Sequence, residues 1–536
     1  MRSKFADTEG AVNKLELSGY KFKAYPLEIN QLKGLKALLL QYNEIRVLPD
    51  EITVLQDLRE LHLSHNPLLS VPPVLEHLTG LRALRLDNTL LEQLPGFLGK
   101  LVKLRGFSGV QNKLVSLPEE FGKLVSLTKI NLDSNGLRSL PESIGNLKHL
   151  KDLSLTRNRL GWLPLTIKHL VGLEELRLSY NRLTALPKEL GFMTSLVRLR
   201  CGNNMLQELP LEIEHLVNLE DLSFNGNVIS LIPLVIGSIG RLRNINYDNN
   251  PIKCPREDVL AQGSEGLILY MQRMYQSAIT SGLEMVNAQL KHFPIEALTV
   301  PKLHTLILDD NVIEVLPAEV KVLSGLTMLS LQRNRLKLIP AEAGLLTALR
   351  RLLLNDNHLT VIPLSFGLAA SLSEVDLQNN GEWQTPPPEV VRQGSGMIVN
   401  YLHKFGDAFR THKLVLEAMK LEQFPRDCYK FMEHFGPLNP LPLKSISICH
   451  NKVAALPEDI NALSALQELY LDENDFEVFP DSVGELFELR KLSFCKNYFN
   501  TFPLQISNCS RLESLRFSGT PSPLTASLTA CGFICT

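Results

Sequence analysis

The chain has 536 residues, of which 44% are hydrophobic, and a formal net charge of −2 at pH 7. This balance excludes a general nucleic-acid binder, because such proteins carry a basic excess. No apolar run approaches the roughly 18 residues of a membrane span, and the polar start lacks the apolar stretch of a secretory signal. The eight cysteines are scattered, which predicts free thiols in a cytoplasmic protein without a metal site or disulfides.

From near the first residue onward, asparagine recurs every 23 residues inside a fixed leucine frame. The pattern is L-x-x-L-x-L-x-x-N-x-L, as in Leu150, Leu153, Leu155, Asn158 and Leu160. Leucines that alternate with polar residues predict a short strand with one buried face. The pattern is the leucine-rich repeat signature, in which each unit supplies one strand to a solenoid.

Two further features complete the predicted unit, which we call a coil. The asparagine amide is expected to bond backbone groups of neighbouring coils as a ladder. A proline six residues later, such as Pro164 after Asn158, cannot continue a central strand and suits an irregular opposite side. We predict an α/β horseshoe solenoid with short parallel strands on the concave face, an irregular or 3-10 convex side and two helical inserts.

Counting asparagine positions gives 21 coils in three blocks, because the frame breaks twice. The predicted divisions are an N-terminal arm (1–11), repeat block 1 (12–255), a helical insert (256–282), repeat block 2 (283–386), a second helical insert (387–413), repeat block 3 (414–520) and a C-terminal tail (521–536). The tail is expected to fold over the last coil, to carry lipid on Cys531 or Cys535, or to mark a truncated product.

The two inserts align with each other at a constant offset of 131, with Gly263 and Tyr270 matching Gly394 and Tyr401. Apolar residues at helical spacing predict an amphipathic helix in each. We expect these helices to act as wedges between blocks, with docking faces as the alternative. The glycine in each insert is expected to allow close packing on the preceding coil.

No nucleophile, metal or phosphate-loop motif is present, so the chain is predicted to be non-catalytic, with no cofactor and no small-molecule substrate. Side chains on the concave sheet are the expected binding residues, because a rigid scaffold presents them at regular spacing. Arginine and tyrosine are favoured at interfaces. The candidates are Arg85, Lys129, Arg157, Arg177, Tyr180, Arg198, Arg200, Asp309, Asp356 and Tyr470.

The repeat unit with its leucine-proline step, the closers such as Ile144-Gly145-Asn146-Leu147, and both inserts resemble the intracellular Ras-group leucine-rich repeat proteins, which include the Shoc2-type scaffolds. The resemblance implies a non-catalytic cytoplasmic scaffold in small-GTPase or phosphatase signalling. The leading hypothesis is therefore a protein-binding scaffold, with a small GTPase as partner. The alternatives are a recognition platform in immune or polarity signalling, bound along the acidic later coils, and an adaptor such as that of a ubiquitin ligase.

Overall fold

A computed structural model describes residues 12–68, 70–435, 438, 440–499 and 504–518. The predicted N-terminal arm and the C-terminal tail with its two cysteines therefore lie outside the described residues. The chain divides into two compact units, Met1–Tyr275 and Gln276–Thr536. We call them unit 1 and unit 2 and describe each by itself.

Each coil supplies one three-residue strand, and neighbouring strands pair in parallel. Unit 1 holds an eleven-stranded sheet of β1 to β11, which are Lys14–Glu16, Ala37–Leu39, Glu60–His62, Ala83–Arg85, Gly106–Ser108, Lys129–Asn131, Asp152–Ser154, Glu175–Arg177, Arg198–Arg200, Asp221–Ser223 and Asn244–Asn246. Unit 2 holds two five-stranded sheets. They are β12 to β16 (Gly282–Glu284, Thr305–Ile307, Met328–Ser330, Arg351–Leu353 and Glu374–Asp376) and β17 to β21 (Lys413–Val415, Ser445–Ser447, Glu468–Tyr470, Lys491–Ser493 and Ser514–Arg516). The predicted α/β solenoid fold is confirmed.

Opposite the strands, most coils turn through a short 3-10 segment directly after the repeat proline. In unit 1 these segments are Leu27–Gln31, Asp50–Val54, Pro73–His77, Gly96–Lys100, Glu119–Lys123, Glu142–Asn146, Leu165–His169, Lys188–Phe192, Leu211–His215 and Leu234–Ser238. In unit 2 they are Ile295–Thr299, Ala318–Val322, Ala341–Leu345, Leu364–Leu368, Arg426–Cys428, Ile460–Ala462, Asp481–Glu485 and Leu504–Asn508. Leucines of the strand and the turn fill the space between them, so each coil completes its core only against its neighbours.

The predicted asparagine ladder is present. Asn158 donates from Nδ2 to the carbonyl of Leu155 in its own coil (3.1 Å) and to that of Leu132 in the preceding coil (2.9 Å). Its Oδ1 accepts the backbone N–H of Leu137 at 3.1 Å. The amide thus supplies hydrogen-bond partners to backbone carbonyl and N–H groups where the chain leaves the sheet. Leaving these buried groups unpaired would be costly.

Coils that lack the asparagine show what the ladder requires. Tyr20, Ala288 and Met419 occupy its place in the first coil of each sheet, where no preceding strand offers a carbonyl. Thr89 is the exception inside a sheet, and its hydroxyl donates only to Leu86 of its own coil and to the Asn112 amide oxygen. In all four coils the next residue takes a left-handed φ, between 53° and 66°, namely Lys21, Leu90, Gln289 and Lys420.

We expect Thr89→Asn to stabilise unit 1. The new amide can donate to the Leu63 carbonyl and relieve the left-handed Leu90, so the free energy of unfolding should rise by about 1 kcal/mol. Urea unfolding followed by circular dichroism measures the change. The reverse substitution, Asn158→Thr, is the matched control and should lower stability; an unchanged or lowered value for Thr89→Asn would contradict the ladder's role.

Helices occupy both breaks in the frame. The first break contains α1 (Glu257–Leu260) and α2 (Gly263–Thr280), and the second contains α3 (Pro388–Val391) and α4 (Ser395–Thr411). A serine at the start of each long helix meets the last strand of the preceding sheet. Ser264 Oγ donates to the Ile245 carbonyl at 2.8 Å, and Ser395 Oγ accepts the Val375 N–H at 2.8 Å. The two long helices therefore lie at the last edges of the first two sheets.

The prediction about the insert glycines was wrong. Gly263 and Gly394 have φ of +73° and +87° and open space around them, so they allow the left-handed turn between the short and the long helix. The close packing depends on glycines of the preceding coils and, in the second insert, also on Gly406 of α4, where a Cβ would overlap the Gly367 carbonyl. A Cβ on Gly237 would overlap the Met271 carbonyl, and one on Gly367 would overlap that of Leu402.

Within unit 2, α4 is the predicted wedge, because it packs against the turn Leu364–Leu368, against β16 and against β17. A third departure from the repeat follows, where the step from Met419 to Asn451 is 32 residues and contains α5 (Phe431–His434). The buried carboxylate of Asp427 joins these parts. It accepts the hydroxyl of Tyr401 on α4 at 2.5 Å and that of Thr385.

Burial raises the pKa of Asp427 from 3.8 to about 6, against the opposing hydrogen bonds of Thr385 and Tyr401. Between about pH 4 and pH 6 the folded protein keeps a proton that the unfolded chain loses. The contribution of Asp427 should therefore favour folding most at pH 4 and fade as the pH rises to 6, by up to about 1.4 kcal/mol per pH unit. Above pH 6 both states are ionised and the contribution is flat.

Asp427→Asn should remove this part of the pH profile. Urea midpoints of both proteins between pH 4 and pH 8 provide the measurement, and the difference between them isolates Asp427 from other titrating groups. Parallel profiles across this range would show that the carboxyl titrates at its ordinary pKa.

Candidate functional site

The solvent-facing side of the unit 1 sheet places four of the basic candidates on nearby strands. The residue between the two inward positions of each strand stacks in register with its counterparts, for example Ser154 with Arg177 and Arg177 with Arg200. Lys129, Arg198 and Arg200 are exposed, and Arg177 is half-buried. The parallel register thus places four predicted basic residues on β6, β8 and β9.

Carboxylates on the same strands pair with these cations. Lys129 Nζ lies 2.9 Å from Asp152, and Arg177 lies 3.0 Å from Asp152 and 2.7 Å from Glu175. The chain of pairs continues through Glu175 to Arg198 at 3.5 Å. We call the residues on β6 to β10 the charge ladder, and its members are Lys129, Asp152, Glu175, Arg177, Arg198, Arg200 and Asp221.

The ladder is not a simple basic patch. Arg200 ends it with a 2.9 Å pair to Asp221, so four cations face three carboxylates. The pairs of the exposed cations Lys129, Arg198 and Arg200 contribute little to stability, typically about 0 to 1 kcal/mol each. Arg177 differs, because it is half-buried and its partner Glu175 is buried. The effect of these pairs is to hold the guanidinium groups in fixed positions across the strands.

Arg157 and Tyr180 form a second row beside the ladder. Each of these residues directly precedes an asparagine of the asparagine ladder and has a left-handed φ, 57° for Arg157 and 59° for Tyr180. The Arg157 guanidinium lies 5.5 Å from the centre of the Tyr180 ring, which is a cation–π distance. Both side chains are exposed, so an exposed cation and an aromatic ring lie together without a carboxylate partner within 4 Å in the described part of the chain.

Arg85 lies apart from these residues, on β4, two strands before β6. Its neighbour His62 is partly buried, and burial together with the Arg85 charge lowers the pKa of that imidazole. Tyr42 and His65 stack in the next row, with ring centres 4.2 Å apart. Arg85 therefore belongs to a histidine-bearing area of the sheet and not to the charge ladder.

In unit 2 the predicted acidic candidates are bonded within the sheet. Asp309 is 8% exposed, and its Oδ1 accepts the Ser330 hydroxyl at 2.6 Å and the Gln332 N–H at 3.0 Å. Asp87, Asp133 and Asp472 make the same pair of contacts to the following coil. This arrangement gives Asp309 a bridging role between coils.

Asp356 and Tyr470 retain more surface than Asp309. The Asp356 carboxylate accepts the side-chain amides of Asn379 at 2.9 Å and Asn355 at 2.7 Å. Tyr470 lies on β19 in the other sheet of unit 2, and burial followed by the Glu468 charge raises its pKa. The three unit 2 candidates are therefore not brought into one cluster.

Sequence reasoning missed Asp152 as a shared partner of Lys129 and Arg177. Its signal was available, because the residue before the first inward leucine of each strand stacks in register with its counterparts. Glu174, although adjacent to Glu175, instead pairs with Lys151 at 2.8 Å.

The described residues show neither a metal-binding cluster nor a membrane-spanning helix. No group of three or more His, Cys, Asp or Glu side chains among them could hold a metal ion. No helix in the described part of the chain is long and apolar enough to cross a membrane.

Two arginines of this surface should differ in their effect on folding. Arg177→Glu would place a third carboxylate beside Asp152 and Glu175, and should lower the free energy of unfolding by about 2 kcal/mol. Arg157→Glu removes only an exposed ring contact and should stay within about 0.5 kcal/mol of the wild type. Urea unfolding measures the free energy of unfolding of both variants. Equal losses of stability would show that the ion pairs of the charge ladder do not form in solution.

Comparison with known proteins agrees with this architecture. Sequence models of two leucine-rich repeat families match, one described as a leucine-rich repeat region over residues 95–204 and one described as leucine rich repeat over residues 33–91 and 301–359. A search of curated proteins gives no match.

Similar solved structures include a leucine-rich repeat protein of Leptospira interrogans, which is 24% identical, with 98% of this chain and 95% of that chain covered and a TM-score of 0.38. The leucine-rich repeat ectodomain of the Arabidopsis thaliana receptor kinase GASSHO1/SCHENGEN3 is 22% identical, with 95% and 64% covered and a TM-score of 0.42. An internalin of Listeria monocytogenes is 18% identical, with 69% and 82% covered and a TM-score of 0.29.

The matched repeat regions coincide with coils whose leucine frame, parallel strands and asparagine ladder are described above. The chain therefore contains leucine-rich repeats over the matched residues and has the fold of a leucine-rich repeat solenoid.

Proposed function

We propose that this chain is a non-catalytic cytoplasmic scaffold that binds a partner protein on the unit 1 sheet. The observation that carries the proposal is the Arg157–Tyr180 pair beside the charge ladder. It combines exposed arginine and tyrosine, which are frequent at binding hot spots, with guanidinium groups already held in place by carboxylates. Such preorganisation lowers the entropy lost on binding.

The charge of the surface indicates the kind of partner. With Arg157, five basic residues stand against three carboxylates, Asp152, Glu175 and Asp221. The excess favours a partner with an acidic surface. The resemblance of the repeats and inserts to Ras-group proteins supports a Ras-like small GTPase as that partner.

The alternative of binding along the acidic coils of unit 2 has less support. Asp310 pairs with Arg333 at 2.8 Å, and Glu374 pairs with Arg351 at 2.6 Å. These ion pairs and the hydrogen bonds of Asp309 leave less unpaired negative charge on the unit 2 sheet than the sequence implied.

The test is binding of purified Ras-like GTPases to the full chain, with each GTPase loaded with GDP or with a non-hydrolysable GTP analogue. We expect at least one to bind preferentially in the analogue-loaded form. The double variant Arg157→Glu, Tyr180→Ala should weaken that binding by at least about tenfold, or 1.4 kcal/mol. Biolayer interferometry gives the affinities.

The matched control is Arg138→Glu, which reverses an exposed arginine outside the strands. It should leave binding unchanged. A GTPase that binds the double variant as tightly as the wild type would move the site off this face. If no GTPase binds, the proposed partner class is wrong, and a pull-down from extract with wild type and double variant would test the face itself.

A further inference from the structure

Unit 2 contains a cleft of about 670 Å³ that lies away from the sheet residues discussed above. One side is the end of the last coil of the second sheet together with α3, and the other is the segment 422–434. The cleft exists because the coil from Met419 to Asn451 is lengthened to 32 residues, whereas the coil after the first insert, from Ala288 to Asn311, keeps the ordinary 23. Its volume is in the range of sites that hold small ligands or short peptides.

Apolar and basic residues line different parts of this cleft. Trp383, Pro387 and Phe424 form what we call the apolar wall. Three exposed cations form what we call the basic rim, namely Arg392, Arg426 and Lys430. Among the described residues, none of these cations has a carboxylate within 4 Å, in contrast to the paired arginines of the charge ladder.

The acidic residues of the cleft are largely committed to the fold. The Glu389 carboxylate accepts the Glu422 backbone N–H at 3.1 Å. Both oxygens of Asp427 accept hydroxyl protons, and that side chain is only 2% exposed. Glu422 and Glu433 are the remaining acids, and both are exposed. The exposed part of the cleft therefore carries three cations and two carboxylates, whereas the charges of Glu389 and Asp427 lie in its half-buried and buried parts.

A buried imidazole adds an independent sign of a binding site. The His434 side chain is 9% exposed and lines the cleft, and its Nε2 has no hydrogen-bond partner, with the nearest Asp427 oxygen 3.8 Å away. Burial lowers the pKa of His434 to about 4, so the ring is neutral at pH 7. An unsatisfied buried polar group is costly, and a polar guest in the cleft can supply the missing partner.

We propose that this cleft binds a short acidic peptide segment of a partner protein. A carboxylate or phosphate of the peptide lies among the basic rim, and an adjacent apolar side chain packs on the apolar wall. The exposed amides of Gln384 and Gln423, which also line the cleft, donate to and accept from the peptide backbone. This site is separate from the proposed GTPase-binding face and does not depend on it.

The probe is a fluorescein-labelled hexapeptide with two glutamates on each side of a leucine–tryptophan pair, compared with the same peptide carrying lysines. Fluorescence anisotropy with the full chain at low salt should show binding of the acidic peptide only. Arg392→Glu with Lys430→Glu should weaken binding by at least about tenfold, whereas Arg335→Glu, an exposed reversal elsewhere in unit 2, should not.

Trp383→Ala tests the apolar wall without changing charge, and should weaken the acidic peptide severalfold. Circular dichroism melting of each variant confirms that it is folded.

Three results would overturn the proposal: no binding of the acidic peptide by the wild type up to about 1 mM, equal binding by the Arg392→Glu, Lys430→Glu variant, or equal binding of the lysine peptide. Inorganic phosphate at equal concentration that fully displaces the peptide would reduce the cleft to a simple anion site. The Arg157→Glu, Tyr180→Ala variant should bind the peptide normally, so failure here is distinct from failure of the GTPase proposal.

Discussion

The asparagine ladder is the interaction on which the rest of the fold depends. Each side-chain amide closes the turn of its own coil and ties that turn to the carbonyl of the coil before it. Asn158 makes both contacts at once through Leu155 and Leu132. The leucines alone would permit many stackings, because hydrophobic contact is not directional. The amide fixes one register, and the parallel strands follow from it.

A fixed register has consequences for the solvent-facing side of the sheet. Side chains at equal positions in successive coils lie next to each other, so a charged side chain in one coil can contact the side chains at the same position in the two neighbouring coils. Asp152 shows the effect, since it serves Lys129 on one side and Arg177 on the other. The solvent-facing side of this part of the sheet is therefore an ordered chain of opposite charges, with more cations than carboxylates and with the Arg157–Tyr180 pair beside it.

The sequence predicts those features of the fold that depend on residues close together in the chain, and not those that depend on side-chain contacts particular to one pair of coils. The period, the proline and the asparagine are local signals, and they predicted the strands, the turns and the ladder. The role of Asp309 was not predictable from exposure patterns, because its carboxylate bridges to Ser330 in the next coil. The insert glycines were misread because a left-handed φ and a close approach both call for glycine, and only the backbone distinguishes them. The cleft could not be predicted, since it needs the end of one block and the lengthened coil of the next.

The coils without asparagine explain why the breaks fall where they do. A helix that ends a sheet removes the preceding carbonyl, so an amide at Ala288 or Met419 would lack the bond to the coil before it and could bond only its own coil. The residues after Ala288 and Met419 take a left-handed φ, as Leu90 does after Thr89 inside a sheet. With Thr89 as the exception among the described coils, a missing asparagine marks the first coil of a sheet. The two inserts share this mark and an aligned sequence, yet only the second is followed by a lengthened coil. Places where a protein departs from its own local rules are often functional, and this departure is the one that builds a cleft with unpaired cations and an unsatisfied imidazole.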